Sequence, residues 1–264
     1  MFITEAEKKL SEEYLSHGYI VRPVDDIEAL DWIRNQFEQL IRDALPEAEG
    51  IDVESILNNI HKYVAISELN DFRLKVIHAI NTIDGFREMY YRVARKYLEI
   101  LVGNELAMQI RINLSIQLPQ DDSSLLPVHS DVWSGDSPFE VVVWLPLVDC
   151  YGSKAMYLLP PKNYAELTQQ FRAKANGSSE KLYQTIKEEV QWLEVRYGEV
   201  LIFDQGLPHG NRLNEEIETR WSMNCRFKGV FTPYGDKKIG EFFEPITLKA
   251  ASQKGMSYRL PDIT

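Results

Sequence analysis

Between Gln109 and Leu118 the residues alternate without exception. Ile110, Ile112, Leu114, Ile116 and Leu118 are apolar, while Gln109, Arg111, Asn113, Ser115 and Gln117 are polar. Successive side chains of an extended chain point to opposite faces, so the pattern predicts a strand over 109–118 with one apolar and one polar face. The residues before about Ala107 have a different rhythm. Ile27, Leu30, Ile33, Phe37, Leu40 and Ile41 recur at three- and four-residue steps, which predicts a helix over 27–45. Segments near 54–63, 69–81 and 86–102 share this character, and Asp84-Gly85 marks a break before the last of them. No proline interrupts residues 47–118, as expected of helices packed in sequence.

After the alternating segment the chain reads as strands. FEVVVWLPLVD (139–149) is a near-continuous apolar, β-branched run, the pattern of a strand covered on both sides. KAMYLLP, VQWLEVRYG, EVLIF and RWSMNCRFKGVF predict further strands, separated by loops with Gly, Pro, Asn and Asp. Residues 162–190 read as a helical insertion. No fixed-period repeat or low-complexity tract occurs. The expectation is an α+β protein with its strands in a two-sheet jelly roll. The 264 residues suit a single domain. Within it, 1–104 is mainly helical, 105–232 forms the jelly-roll core, and 233–264 is a C-terminal extension.

A formal net charge of −11 leaves no basic surplus to neutralise phosphates, so nucleic acid is not an expected partner. No stretch approaches the roughly 20 apolar residues that span a bilayer, so no membrane partner is expected either. MFITEAEKKLSEEYL lacks the cationic-then-apolar layout of a secretory signal. Cys150 and Cys225 are too few for a disulfide framework. A cytoplasmic protein with a small-molecule substrate is the expectation, with no oligomeric state implied.

The chain has five histidines. His17 lies in a polar segment, and His61 and His78 fall on predicted helices, where structural roles are the common case. His129 differs, because Asp131 follows two residues on in PVHSDVW. At the end of an extended segment, residues i and i+2 point to one side and can converge on one ion. His209 follows the apolar strand of GEVLIFDQGLPHGN, where a rigid scaffold can present a ligand to a cavity. Two histidines and a carboxylate that leave three positions open form the facial triad of non-haem Fe(II) sites. On these features alone, a loop histidine and a strand-capping histidine are an equal reading.

Arg220 comes eleven residues after His209, in ETRWSMNCRFKG. Arg220, Ser222, Asn224 and Arg226 alternate with Trp221, Met223, Cys225 and Phe227, so a strand places Arg220 and Ser222 on one polar face. An inward-facing guanidinium needs an anion. A five-carbon diacid supplies one, chelating iron at its keto-acid end and taking Arg220 and Ser222 at its far carboxylate. The alternative is an Arg–Glu pair on a solvated strand face.

Together, His129-Ser130-Asp131, His209-Gly210 and Arg220-Trp221-Ser222 resemble the Fe(II)/2-oxoglutarate-dependent dioxygenase superfamily. Its members have a double-stranded β-helix core (a cupin-like jelly roll), an H-x-D/E…H triad and an R-x-S-like motif after the second His. The pattern is most similar to the phytanoyl-CoA dioxygenase-like branch, where an apolar strand ending in Trp follows the H-x-D, matched here by VVVW with Trp144. The overall look is also similar to dioxygenases found in bacterial surface-carbohydrate gene clusters. The resemblance covers about 105–230. It departs at Gly152-Ser153, where the branch has N-G, and at PPKN, where it has P-G-S-H.

The resemblance implies Fe(II) on His129, Asp131 and His209, with 2-oxoglutarate and O₂ as co-substrates. It implies Trp144 against 2-oxoglutarate and a small polar residue two positions after the second His, here Asn211. Decarboxylation to succinate and CO₂ would accompany hydroxylation or desaturation of a small molecule, such as a sugar or surface-carbohydrate precursor. Related halogenases replace the carboxylate ligand by a small residue, so Asp131 points to oxygenation. Gln117 and Asn113, on the polar face of 109–118, are candidates for the metal-side carboxylate of the co-substrate, or are barrel lining. Trp133 and its WSGDSP segment are candidates for a lid over the substrate. Arg111 and Arg226 are candidates for an anionic group on the substrate, or for structural ion pairs. Two other functions stay open on sequence: a cupin-like metalloenzyme without 2-oxoglutarate, and a non-catalytic carbohydrate-binding jelly roll.

Overall fold

The computed structural model describes residues 2–174 and 178–261. Residues 175–177 of the expected insertion and 262–264 of the expected extension lie outside the described residues. Helix α1 (Glu5–His17) begins at a capping box in which Thr4 and Glu7 satisfy each other's backbone N–H groups. It ends at Gly18, whose φ of 80° turns the chain directly into strand β1 (Tyr19–Pro23). Helices α2 (Ile27–Ala44), α3 (Val53–Asn58), α4 (Ile66–Ile80), α5 (Phe86–Arg92) and α6 (Arg95–Leu101) follow. The core then supplies β2 (Leu106–Gln109), β3 (Asn113–Gln117), β4 (Glu140–Pro146) and β5 (Met156–Leu158). Next come α7 (Pro161–Lys174), α8 (Ser179–Ile186), β6 (Gln191–Leu193), β7 (Glu199–Asp204), β8 (His209–Gly210) and β9 (Arg220–Gly229). Strand β10 (Phe243–Pro245) and α9 (Ala250–Met256) close the described chain. No described helix is long and apolar enough to cross a membrane.

The larger sheet is antiparallel in the order β1-β7-β4-β9-β2-β10, and β3 pairs with the first half of β9. The smaller sheet has the order β6-β5-β8. Each central strand of the larger sheet is buried on both faces, and the period of two sorts its side chains. Val141, Val143, Leu145, Val200, Ile202, Trp221, Met223, Cys225 and Phe227 pack against the N-terminal helices. Val142, Trp144, Leu201 and Phe203 face the smaller sheet, with Met156, Leu158 and Leu193. Helices α7 and α8 cover the outer face of the smaller sheet through Leu167, Leu182 and Ile186 on Tyr157 and Leu159. The expected two-faced core strand at 139–149 and the helical insertion at 162–190 are both present, as is the α+β jelly roll.

Three expectations need correction. The segment 109–118 is not one strand: it is broken between β2 and β3. Asn81, at the end of α4, takes the backbone of Ile112 with its side chain, accepting from Ile112 N at 2.7 Å and donating to Ile112 O at 2.9 Å. Met108 pairs with Phe227 and Asn113 with Asn224, so residues 109–112 stand opposite only 225 and 226. The excess is an even number, so the faces stay in phase across the break and the alternation in sequence survives it. Second, the larger sheet reaches outside the expected core of 105–232, because β1, within the mainly helical first part, forms an edge of it through pairs Tyr19–Phe203 to Pro23–Glu199. Third, β10 lies beyond the expected core limit at 232 yet pairs with β2.

Trp221 joins the helical layer to the sheet. It is fully buried, donates from Nε1 to Leu57 O of α3 at 2.9 Å, and meets Phe37 and Phe72 edge-on. Replacing Trp221 by Ala removes this contact and leaves a cavity, and should lower unfolding stability by about 3–5 kcal/mol in a denaturant titration.

Candidate metal centre

His129, Asp131 and His209 come together at one end of the barrel, between the two sheets. Each offers a ligand atom, and these atoms lie within 4.8 Å of one another. They are the one such group of His, Cys, Asp and Glu among the described residues. The two histidines are joined by a reciprocal backbone bridge, His129 N to His209 O at 3.0 Å and His209 N to His129 O at 2.8 Å. This sets their rings 4.3 Å apart between centroids. His129 Nε2 is 3.5 Å from Asp131 Oδ1.

The ring tautomers follow from the neighbours. His129 Nδ1 is 2.8 Å from Pro127 O, and His209 Nδ1 is 2.9 Å from Leu207 O. A carbonyl only accepts, so each Nδ1 carries a proton and Nε2 is the atom each ring turns toward an ion. Burial, and then the neighbouring His129, pushes the pKa of His209 down to about 4, so its ring is neutral at neutral pH. Burial would raise the carboxyl pKa of Asp131, but the His129 hydrogen bond and the charge of Arg226 outweigh it and hold the group well below its ordinary range. Two imidazoles presenting Nε2 and a carboxylate, converging on one point, are a donor set suited to a divalent metal.

The triad opens on a cavity of about 250 Å³ whose lining includes Trp144, Asn211, Asn113, Asn224 and Arg220. Arg220 is 4% exposed, and no carboxylate lies in ion-pair contact with it among the described residues. Its closest polar contacts are long, at 3.4 Å to Gln117 Oε1 and 3.5 Å to Ser222 Oγ, and its Nε has no hydrogen-bond partner. The guanidinium carbon stands 5.7 Å from the centre of the Trp144 ring. Burial pulls the guanidinium pKa down. A buried cation this poorly met is costly unless an anion enters the cavity. A larger cleft of about 690 Å³ lies outside the barrel between Ile80–Glu88 and β10. It contains none of the triad, so the chemistry belongs to the smaller cavity.

No protein-family model matches the chain, and no curated protein matches it in sequence. Solved structures do match. The chain is similar to the non-heme monooxygenase ThoJ in its nickel complex, with a TM-score of 0.56 and 13% identity over 92% of this chain and 85% of that one. It is also similar to the non-heme alpha-ketoglutarate-dependent carbocyclase SnoK from nogalamycin biosynthesis, with a TM-score of 0.55 and 14% identity over 93% and 97%. AviO1 from Streptomyces viridochromogenes gives 0.55 and 16% over 88% and 99%. The chain shares their fold.

The cavity gathers most of the residues singled out in the sequence, but not all. Asn211 lines it and also clamps its rim, accepting from Leu126 N at 2.5 Å and donating its own N–H to Leu126 O at 3.1 Å. Asn113 lines it and donates to Asn224 at 2.9 Å. In either orientation of these two amides, one NH₂ group is left to donate into the cavity. Asn224 was visible in the alternation of β9 but carried no motif. Ser222 is fully buried beside Arg220.

Gln117 does not line the cavity. Its amide donates to Arg212 O at 2.6 Å and accepts from Arg220, so it supports Arg220 rather than facing the metal side. Arg111 is exposed at the bend between β2 and β3 and is also outside the lining. Arg226 does reach the cavity, but it is committed to Asp131, with Nη2 to Oδ2 at 2.6 Å, so it is not available to a substrate anion. Trp133 is 42% exposed and lies off the lining. Its segment is not a free loop: Asp236 N donates to Gly135 O at 2.8 Å, and Ser137 Oγ donates to Pro233 O at 2.6 Å.

Gly210 explains its place after His209. A Cβ there would stand 2.7 Å from Leu126 O and 2.7 Å from the Tyr157 hydroxyl. Gly210→Ala should therefore cost about 1–3 kcal/mol in thermal unfolding, and should weaken Co(II) binding by shifting His209.

Proposed function

We propose that the protein is an Fe(II)- and 2-oxoglutarate-dependent oxygenase acting on a small molecule. The observation that carries this reading is Arg220, a buried cation with no carboxylate partner, in the same cavity as a two-histidine, one-carboxylate triad. A metal enzyme that uses no diacid has no evident need for that guanidinium. The structures that share this fold include a non-heme monooxygenase and a non-heme alpha-ketoglutarate-dependent carbocyclase, which is consistent with it.

In this reading His129, Asp131 and His209 hold the iron, and Arg220 with Ser222 takes the far carboxylate of 2-oxoglutarate. Bound there, iron would supply the chemistry for oxidative decarboxylation of 2-oxoglutarate by O₂ and for oxidation of the substrate. Trp144 forms an apolar floor beneath the guanidinium, which keeps water from competing for it. In this reading the NH₂ left over by Asn113 and Asn224 donates to the metal-side carboxylate. Apart from the triad and the two arginines, the lining is amide, hydroxyl and apolar. An uncharged substrate such as a sugar fits that surface, because a charged one would enter without a counter-ion. The sequence motifs, rather than the fold, favour the phytanoyl-CoA dioxygenase-like branch. Retention of Asp131 favours hydroxylation or desaturation over halogenation.

His209→Ala and Asp131→Ala should abolish stoichiometric Fe(II) binding in an anaerobic titration while the protein stays folded by circular dichroism. Arg220→Ala should raise the 2-oxoglutarate concentration needed for succinate release on the order of a hundredfold, the loss expected when one partner of a buried charge pair is removed. Turnover indifferent to 2-oxoglutarate and to Arg220→Ala would identify a metalloenzyme that does not use this co-substrate.

A further inference from the structure

Behind Asp131 lies a group of buried charges. Arg226 reaches Asp131 from β9 and is held by more than that carboxylate. Its Nε donates to Gln205 Oε1 at 2.9 Å, and its Nη1 donates to Gln109 Oε1 at 3.2 Å. The Gln205 amide cannot turn freely, because its Nε2 donates to Glu140 Oε2 at 2.8 Å and to Ser137 O at 3.1 Å. The same residue's backbone carbonyl accepts from Asp131 N at 3.0 Å. The guanidinium is thereby fixed in a cradle, and it ties down Asp131 Oδ2 while Oδ1 faces His129.

A second carboxylate competes for the same cation. Asp136 is 5% exposed, and its Oδ1 has no hydrogen-bond partner, 3.6 Å from Arg226 Nε. Its other oxygen is taken by Lys237 at 2.5 Å. Lys237 belongs to the segment after β9, which is pinned on the 135–137 turn by Asp236 N and Pro233 O. Lys228, fully buried, holds that segment in turn by donating to Pro233 O at 2.7 Å and lying 3.4 Å from the Tyr234 ring centre.

We propose that Arg226 is a positioning residue that presets the Asp131 carboxylate for the metal, and that Lys237 keeps it there by neutralising Asp136. The proposal rests on the reading of Asp131 as a metal ligand. It gives the segment after residue 232 a function at the metal centre, although none of its residues joins the triad. Outer partners of this kind typically change metal affinity by about ten- to a hundredfold.

The test uses the full-length protein and Co(II) alone, with affinity read by calorimetry and the apo protein's melting temperature measured alongside. Arg226→Lys keeps the charge but cannot span Asp131, Gln109 and Gln205 together. It should bind Co(II) about tenfold more weakly without a matching loss of melting temperature. The double variant Asp136→Asn with Lys237→Met removes the competitor and its neutraliser at constant net charge, and should stay within about threefold of the parent protein. Co(II) affinity of Arg226→Lys equal to that of the parent would show that charge alone suffices and overturn the proposal. A double variant as weak as Arg226→Lys would overturn it too. If Arg226→Lys does not fold, Gln109→Met takes its place: weakening by about threefold or more supports the cradle, and parental affinity overturns it. A parent protein that binds no Co(II) removes the metal reading itself, whereas parental binding with unaffected variants removes only the role of Arg226.

Discussion

Strand β9 carries two sets of side chains that could not both be buried on one face. Trp221, Met223, Cys225 and Phe227 enter the helical layer, and that packing fixes the strand's rotation. The opposite face is then obliged to hold Arg220, Ser222, Asn224 and Arg226 inside the barrel. Polar groups in such a place are tolerated only if they are met by partners. Arg226 is met by Asp131, while Arg220 is met only by long contacts to neutral groups. The difference between these two arginines, six residues apart on one face, separates the triad end of the cavity from the end where a guanidinium stands without a carboxylate.

The helical layer is therefore more than a cover. Helix α3 takes the Trp221 indole through Leu57 O, and the next residue, Asn58, accepts from Thr219 N at 2.8 Å. These contacts hold the start of β9 where Arg220 leaves the sheet. The buried Lys154 adds a third tie, donating to Glu218 at 3.0 Å and to Asn58 at 3.4 Å. On the other side of the barrel, the His129–His209 bridge joins a loop to a two-residue strand, and Asn211 closes the rim on Leu126. The site is rigid because each of its side chains hangs from backbone that is itself hydrogen-bonded across the fold.

Local pattern made much of this legible. The alternation of β9 placed its polar face correctly, and the i, i+2 spacing of His129 and Asp131 brought them to one point even though a short helical turn begins at Asp131. What the pattern missed were partners distant in the chain. Asn81 breaks the 109–118 strand from 31 residues away, and nothing in an alternating run announces that. Strand β1 is a short YIVRP between two helices, and its pairing with β7 across some 180 residues has no local signal. Gln117 shares a polar face with Asn113 but points to Arg212 and Arg220, because the end of β3 lies beyond the cavity.

The residue pattern alone sets which side chains share a face, since side-chain direction along a strand is a property of neighbouring residues. It thereby determined the triad types, the buried arginine and the two-sided core strands. Which charge meets which was settled only by the folded chain. Arg226 became the partner of Asp131, Lys237 was brought from beyond the barrel to Asp136, and Arg220 was left without an anion. Those pairings depend on how segments far apart in the chain close on one another, and burial then makes each pairing, or its absence, decisive for the chemistry.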